Sequence, residues 1–499
     1  MQRREFVKNI AGAVAAAKLG CATAAFGDEA SVKRPNVVFF LTDEWRAQAT
    51  AYSGDLNART PSLDALASEG VNCTNFISGL PLCCPARASL MTGQYPLKHG
   101  VFINDVPLEP KGVTLGEAFK KAGYRTGYVG KWHLHGSPDG HYGRRSAYIP
   151  QDKHFGFDYW KASECDHNYN HERYFVGDDS TPRFWSGYAP IAETEDACQF
   201  IESRLHDTDP FFLMLSVAPP HFPYGTAPAE FQAMFASQKI QLRPNVPPGD
   251  TDKATQSLKG YYAHIAALDS CVKRLLDTLE KNGLTEDTIV VFSADHGDML
   301  FSQGLEGKLY CWDESIRIPF LVRYPRKLGR AGKKISQPMN SPDVMPTLLG
   351  LAGVPVPAGV QGIDFSRLLL TGQKDGIPQS AFINNPVSTF QLRQHGIDSY
   401  RGVRTERYTY VRAIEGPWLL YDNQQDGYQK HNLIGKPEAK AIQPALEAEM
   451  NMWLKRLGDL FLPGDHYLQQ EGLGYYFETK TPIGHYVSPW GDWSSTMPA

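Results

Sequence analysis

The feature that most constrains this chain is a repeated juxtaposition: an apolar run of strand length, and directly after it a group of charged residues or histidines. Asn36-Val37-Val38-Phe39-Phe40-Leu41 is followed by Asp43 and Glu44, and Thr126–Val129 by Lys131 and His133. Phe211–Val217 is followed by His221, and Thr288–Ser293 by Asp295, His296 and Asp298. Helical segments separate these runs. Thr60-Pro61 places Pro at a first helical position. Thr114 with Glu117 forms a capping box ahead of Leu115, Ala118, Phe119 and Ala122, and Gly123 ends that helix. A long amphipathic stretch from about Gln256 to Asn282 precedes the last run as a crossover helix. Alternation of this kind predicts an α/β fold with a large, mostly parallel sheet flanked by helices. In such a sheet the carboxyl ends of the strands line the ligand crevice, so the four polar groups are expected to converge.

Near residue 390 the pattern changes to short β-like pieces, Gly402–Val411 and Trp418–Tyr421, and then to a helix near Ile442–Leu457. The expected division is residues 1–25 as an export signal, 34–388 as the catalytic α/β domain, and 389–499 as a smaller C-terminal α+β subdomain on an antiparallel sheet. After Pro463 the aromatic, Gly-rich tail has no period and reads as a loop-like wrap.

The start of the chain has the parts of a cleavable export signal: Arg3-Arg4-Glu5-Phe6-Val7-Lys8, an Ala-rich stretch, and Ala22-Thr23-Ala24. The paired arginines resemble a twin-arginine signal, which implies export machinery as a partner and a periplasmic or secreted location. Cleavage at residue 25 removes four basic residues and one acid, moving the formal charge from −4 to −7, which is no nucleic-acid footprint. No run of about 18 uncharged apolar residues appears, so no membrane span is expected. Of the eight cysteines, Cys73, Cys83, Cys84, Cys165, Cys198, Cys271 and Cys311 survive cleavage. Their odd count and irregular spacing indicate neither a disulfide framework nor a zinc site.

Asp43, Glu44, Asp295 and His296 form a mainly oxygen donor set, which suits a hard divalent cation, Ca2+ rather than zinc. The bland reading is that Asp43 and Asp295 cap the turns that follow. Cys83-Cys84-Pro85-Ala86-Arg87 sets Cys83 near the start of a helix, whose positive end favours anions.

Cys83-x-Pro85-x-Arg87 followed by Leu90-x-Thr92-Gly93 resembles the sulfatase signature of the alkaline-phosphatase-like superfamily, and Gly130-Lys131-Trp132-His133-Leu134 resembles the second signature. Asp295-His296-Gly297, Lys308, Ile318-Pro319 to Tyr324-Pro325 and Asp343-Val344-Met345-Pro346-Thr347 are similar to family segments in the family's order, over roughly residues 35–435. The resemblance implies that a separate maturation enzyme oxidises Cys83 to formylglycine (3-oxoalanine). It further implies that Asp43, Glu44, Asp295 and His296 hold calcium, and that Arg87 and Lys131 hold the formylglycine oxygens. His133 would assist sulfate release, while Lys308 and His221 would bind the sulfate and protonate the leaving oxygen. Asp295 would accept the proton of the attacking hydroxyl. Two positions depart from the common pattern: Glu44 stands where Asp is usual, and His296 where Asn is frequent.

For the substrate, a sulfated polysaccharide or oligosaccharide is expected. His135, His167, Asn168, His171 and Arg173 are the candidate contacts, with Gly140–Arg145 and the aromatic tail Tyr475–Trp493 as further pocket walls. Two other readings remain at this point. One is a phosphodiesterase or phosphonate hydrolase of the same superfamily, and the other a carbohydrate-binding protein on an inactive scaffold.

Overall fold

In a computed structural model, which describes residues 34–136 and 145–474 apart from the Phe390 side chain, a ten-stranded sheet carries the fold. From one edge its strands are Lys333–Ile335, Val71–Cys73, Phe320–Arg323, Thr288–Ala294, Asn36–Asp43, Phe211–Pro220, Arg125–Lys131, Tyr159–Ser163, Arg173–Val176 and Asp179–Phe184. The five central strands, Thr288–Ala294 through Tyr159–Ser163, run parallel as the sequence pattern implies. Outside these five the pairing turns antiparallel, except that the edge strand Lys333–Ile335 pairs parallel with Val71–Cys73, so the sheet as a whole is mixed. The outermost pair is a hairpin closed by Gly177-Asp178; Gly177 (φ 53) takes the left-handed conformation that such tight turns need.

Asn36–Asp43 is buried at every position, which is why it reads as a continuous apolar run instead of an alternating one. Phe39 lies level with Met214 on one side and Val291 on the other. The Thr251–Lys281 helix carries the chain back to the Thr288–Ala294 strand, and the Leu115–Lys121 helix has its Thr114–Glu117 capping box in place. The apolar stretch after Arg317 divides at Pro319. Arg317–Ile318 joins a small three-stranded sheet and Phe320–Arg323 the large one, because Pro offers no N–H to a ladder.

A second, four-stranded antiparallel sheet comprises Ser380–Asn385, Tyr400–Thr405, Tyr408–Ala413 and Gly416–Asp422. The Ala439–Leu457 helix covers it with Leu446, Met450 and Trp453, which pack on Phe382, Val403, Tyr410 and Leu420 and on Tyr95. From Pro35 onward the described residues form one compact unit. The stretch after Pro463 corrects the loop-like reading: Gly464–Gln470 is a helix that buries Tyr467 and Leu468 in the main core. Two turns are too few for a 3.6-residue period to stand out. Residues 1–25, most of Gly140–Arg145, and Tyr475–Trp493 lie outside the described residues.

Candidate active site

Apart from Asp298, which accepts hydrogen bonds from Tyr224 and from the Leu300 and Gly307 backbone, the polar groups that follow four of the five central strands meet around Cys83. Two of the turns that aim them are left-handed at non-glycine residues, Glu44 (φ 66) and His133 (φ 57), a conformation that costs roughly 1–2 kcal/mol per residue. Gly130 is required for a different reason. A Cβ there would stand 2.2 Å from the Ser216 carbonyl oxygen, so only glycine lets the strand carrying Lys131 lie this close to its neighbour.

Cys83 opens the Cys83–Thr92 helix, which is buried along its whole length. Its sulfur is 3.2 Å from His296 Nε2 and 3.7 Å from Asp43 Oδ1. Burial and Asp43 push this thiol up, but Lys308, Lys131 and His296 outweigh them and hold it well below the usual thiol range. Lys131 Nζ donates to Asp43 Oδ2 at 2.5 Å. The Arg87 guanidinium donates to Asp295 (2.9 Å), Asp43 (3.3 Å), the Lys131 carbonyl (2.9 Å) and Ser216 Oγ (2.8 Å). Arg87 thus locks two carboxylates and the end of a neighbouring strand in one grip.

Asp43, Glu44, Asp295 and His296 are all fully buried. Asp43, Cys83, Asp295 and His296 bring one donor atom each within 4.8 Å of one another, as do Asp43, Glu44 and His221. The donor chemistry fits a hard cation, and two details of these residues support the fit. Glu44 Oε1 is buried without a hydrogen-bond partner, while Oε2 accepts from Lys308 at 2.9 Å. Burial pushes the Glu44 carboxyl up to about 8, with Asp298 and Asp43 adding to the effect, as expected of anions crowded with too little positive charge. His296 Nδ1 donates to the Gly297 carbonyl oxygen at 3.0 Å, which leaves Nε2 facing Cys83, Asp43 and Asp295. Burial pulls the imidazole down, but Asp295 and Cys83 push it up to about 10, and a cation among these carboxylates would take the place of the Nε2 proton.

Lys308 also donates to His221 Nε2 at 2.6 Å, and His221 Nδ1 donates to the Phe222 carbonyl at 2.8 Å. Burial and the neighbouring Lys308 ammonium hold the imidazole well below its ordinary value, so His221 is neutral. Across the cleft, His133 Nε2 is 3.2 Å from Asp105 Oδ1, and Arg145 grips the same carboxylate with two bonds of 2.9 and 2.8 Å. Burial pulls His133 down. Cys165, Cys84 and Asp105 nevertheless keep it well above the ordinary imidazole value.

A cleft of about 280 Å³ opens over Cys83, lined among others by Lys131, His133, His221 and Lys308. Of the five candidate substrate contacts only His167 lines it, stacked on His221 at 4.4 Å between ring centres. His135 donates its backbone N–H to Glu164, Asn168 is exposed, His171 stacks on Phe184, and Arg173 reaches the Ser146 carbonyl. Arg145, Asp105, Asn104, Thr389 and Gln391 complete the wall. Asp105 and Asn104 belong to no motif and follow no strand, so only spatial proximity identifies them. Thr389 and Gln391 come from beyond residue 388, so the rim draws on both parts of the expected domain division.

An α/β sheet whose strand ends hold cationic side chains and carboxylates around a buried cysteine at a helix start is suited to hydrolysing an anionic ester. Residues 35–354 match the sulfatase family, and residues 302–456 match the C-terminal region of N-sulphoglucosamine sulphohydrolase. An ulvan-active sulfatase of Formosa agariphila is 43% identical over 451 residues, covering 90% of this chain and 86% of the relative. An endo-4-O-sulfatase of Bacteroides thetaiotaomicron is 30% identical, covering 86% of this chain and 93% of its own length. A solved structure from work on the metabolism of multiple glycosaminoglycans by that bacterium superimposes with a TM-score of 0.78 at 27% identity, covering 88% of this chain and 99% of the other. The chain belongs to the sulfatase family and is a sulfuric ester hydrolase.

Proposed function

We propose that the chain removes sulfate from a sulfated carbohydrate, with ulvan as the first substrate to test, using residue 83 after its oxidation to formylglycine by a maturation enzyme. The observation that carries this reading is the placement of Cys83: first residue of a buried helix, its sulfur within 3.7 Å of Asp43 and His296, among Lys131 and Lys308. The sulfur stands in for the oxygens of the hydrated aldehyde. The 43% identity to an ulvan-active sulfatase supports the choice of substrate.

Asp43, Glu44, Asp295 and His296 would hold Ca2+, which would supply positive charge to the sulfate oxygens. Formylglycine would supply a hydroxyl nucleophile at residue 83. Lys131 and Lys308 draw the anionic ester into the cleft and offset charge as it shifts onto the leaving oxygen. Arg87 keeps Asp43 and Asp295 aimed at residue 83, where Asp295, pushed up to about 6 chiefly by burial and by Asp43, accepts the nucleophile's proton. The Lys308–His221 pair delivers a proton to the departing sugar oxygen, and His133 assists sulfate release from the opposite wall. Residues 1–25 act as the export signal for a periplasmic or secreted enzyme; among the described residues no helix is long and apolar enough to cross a membrane.

The test is the mass of the peptide spanning Cys83 from natively produced protein, combined with sulfate release from ulvan, other sulfated glycans, aryl sulfate and choline sulfate. Formylglycine at residue 83 with release from a glycan is the expected result, and Cys83→Ala is expected to abolish turnover. Near wild-type activity in that variant would refute the nucleophile, and activity confined to the small esters would refute the carbohydrate.

A further inference from the structure

The cleft over Cys83 does not end at the sulfate-binding groups. Phe222, Lys308 and Gln391 line it and also line a second depression of about 290 Å³, whose far side is formed by Tyr224, Ser257 and Phe301. Tyr224 and Ser257 in turn line a third, of about 690 Å³, between the Ala229–Ala236 helix and the first half of the Thr251–Lys281 helix. Gly260 permits this arrangement: a Cβ there would stand 2.3 Å from the Tyr224 carbonyl oxygen, so any larger residue would displace the segment shared by the two outer depressions.

We propose that the three depressions form one groove that seats a glycan chain, with the sulfated unit over residue 83 and at least two further units running towards the Ala229–Ala236 helix. This deepens the carbohydrate reading above and rests on it. The chemistry changes along the groove in a way that suits such a chain. The first depression has Lys131, His133, Arg145 and Lys308 in its wall, a surround for an anion. The second has an exposed carboxylate, Glu306, and Lys308 as its one cation among the lining residues. A second sulfate there would face Glu306 with Glu44 and Asp298 behind it, so this position disfavours a second sulfated unit. Phe222, half exposed, offers the sugar seated there a ring face, and Lys308 Nζ stands 5.9 Å from the ring centre. The third depression is open and mixed in character, with Gln232, Gln256 and Lys259 set among Tyr224, Ala229 and Ala233, so it offers both hydrogen-bonding groups for hydroxyls and apolar surface for the faces of a sugar ring. Continuity with the reaction centre selects a glycan over an unrelated ligand, since a substrate entering over Cys83 has its remaining length to place.

The experiment compares kcat/KM for sulfate release from ulvan disaccharide, tetrasaccharide and hexasaccharide and from 4-nitrophenyl sulfate, using the mature enzyme and the variants Ala233→Trp and Ala229→Trp. Both alanines are exposed on a helix surface, so the indole fills the third depression without entering the core. Wild-type kcat/KM is expected to rise about tenfold from disaccharide to hexasaccharide, the gain of one or two added contacts. Each Trp variant should flatten that rise while leaving disaccharide and aryl sulfate hydrolysis unchanged. A flat wild-type series, or a rise that survives both variants, would overturn the groove and leave the carbohydrate reading standing. Aryl sulfate turnover with no release from ulvan fragments or any other sulfated glycan would overturn both.

Discussion

Replacing Asp105 with Asn asks whether His133 works as a protonated imidazole. Asp105 accepts one hydrogen bond from His133 and two from Arg145, and although burial raises its carboxyl, these bonds hold it below the usual carboxylate range. A hydrogen bond to a charged group is worth about 1.5–3 kcal/mol. One pKa unit corresponds to about 1.4 kcal/mol, so loss of the anion should lower His133 by about one to two units. Arg145, left without its counter-ion, acts in the same direction. His133 is raised in the folded protein, so its proton is present below its folded value and lost as pH rises through it. The variant should therefore lose activity at lower pH. The assay is the pH dependence of sulfate release. In Asp105→Asn the alkaline limb should move down by about one to two units, and kcat should fall up to about a hundredfold near the old optimum, the lower range for a positioned acid. Asp105→Glu, which keeps the charge, should restore most of the limb's position. A residue that only braces the loop would lower activity evenly across pH, so an unmoved alkaline limb in the Asn variant refutes the reasoning.

Cys165 is a second test of the same imidazole: burial raises this thiol, but His133 and Lys131 bring it well below the ordinary range, so a thiolate helps to keep His133 charged. Cys165→Ser should shift the alkaline limb in the same direction as Asp105→Asn, and a shift to higher pH would contradict the electrostatic account. In the C-terminal sheet, Arg401 is fully buried and its ion pair with Asp459 is nearly so. Asp459→Asn should cost about 3–5 kcal/mol, read as a lower urea midpoint with kcat of the folded enzyme unchanged; an unchanged midpoint would show that the pair contributes little. If Asp43, Glu44 and Asp295 hold a cation as proposed, treating the mature enzyme with a calcium chelator should lower Tm, because a cation at about a hundred times its Kd adds about 2.7 kcal/mol. Equal Tm with and without the chelator would argue against a cation among Asp43, Glu44 and Asp295.

The central parallel strands and the polar residues at their ends were legible because each is local. A strand buried on both faces must be apolar throughout, and a residue just past its carboxyl end has few places to point except the crevice. The Cys83 helix start and the Thr114–Glu117 capping box were legible for the same reason, since a cap is written within four residues. The outer strands were less so, because strands of three to six residues are too short to leave a long apolar run or a clear alternation. The Gly464–Gln470 helix was too short to show its period. The sugar-facing candidates were drawn from residue type alone, and of His135, His167, Asn168, His171 and Arg173 only His167 reaches the cleft.

From its own order of residues, then, the chain determined which side chains stand at the strand ends, and with them the reaction family. Tertiary structure decided their partners. Glu44 meets Lys308 from 264 positions away, and His133 finds its counter-ion in Asp105, inside a segment with no motif. Such pairings depend on how strands and loops distant in sequence are laid side by side, and no local pattern records them, because burial of the apolar core brings these charges together and their pairing only offsets the cost of taking them out of water.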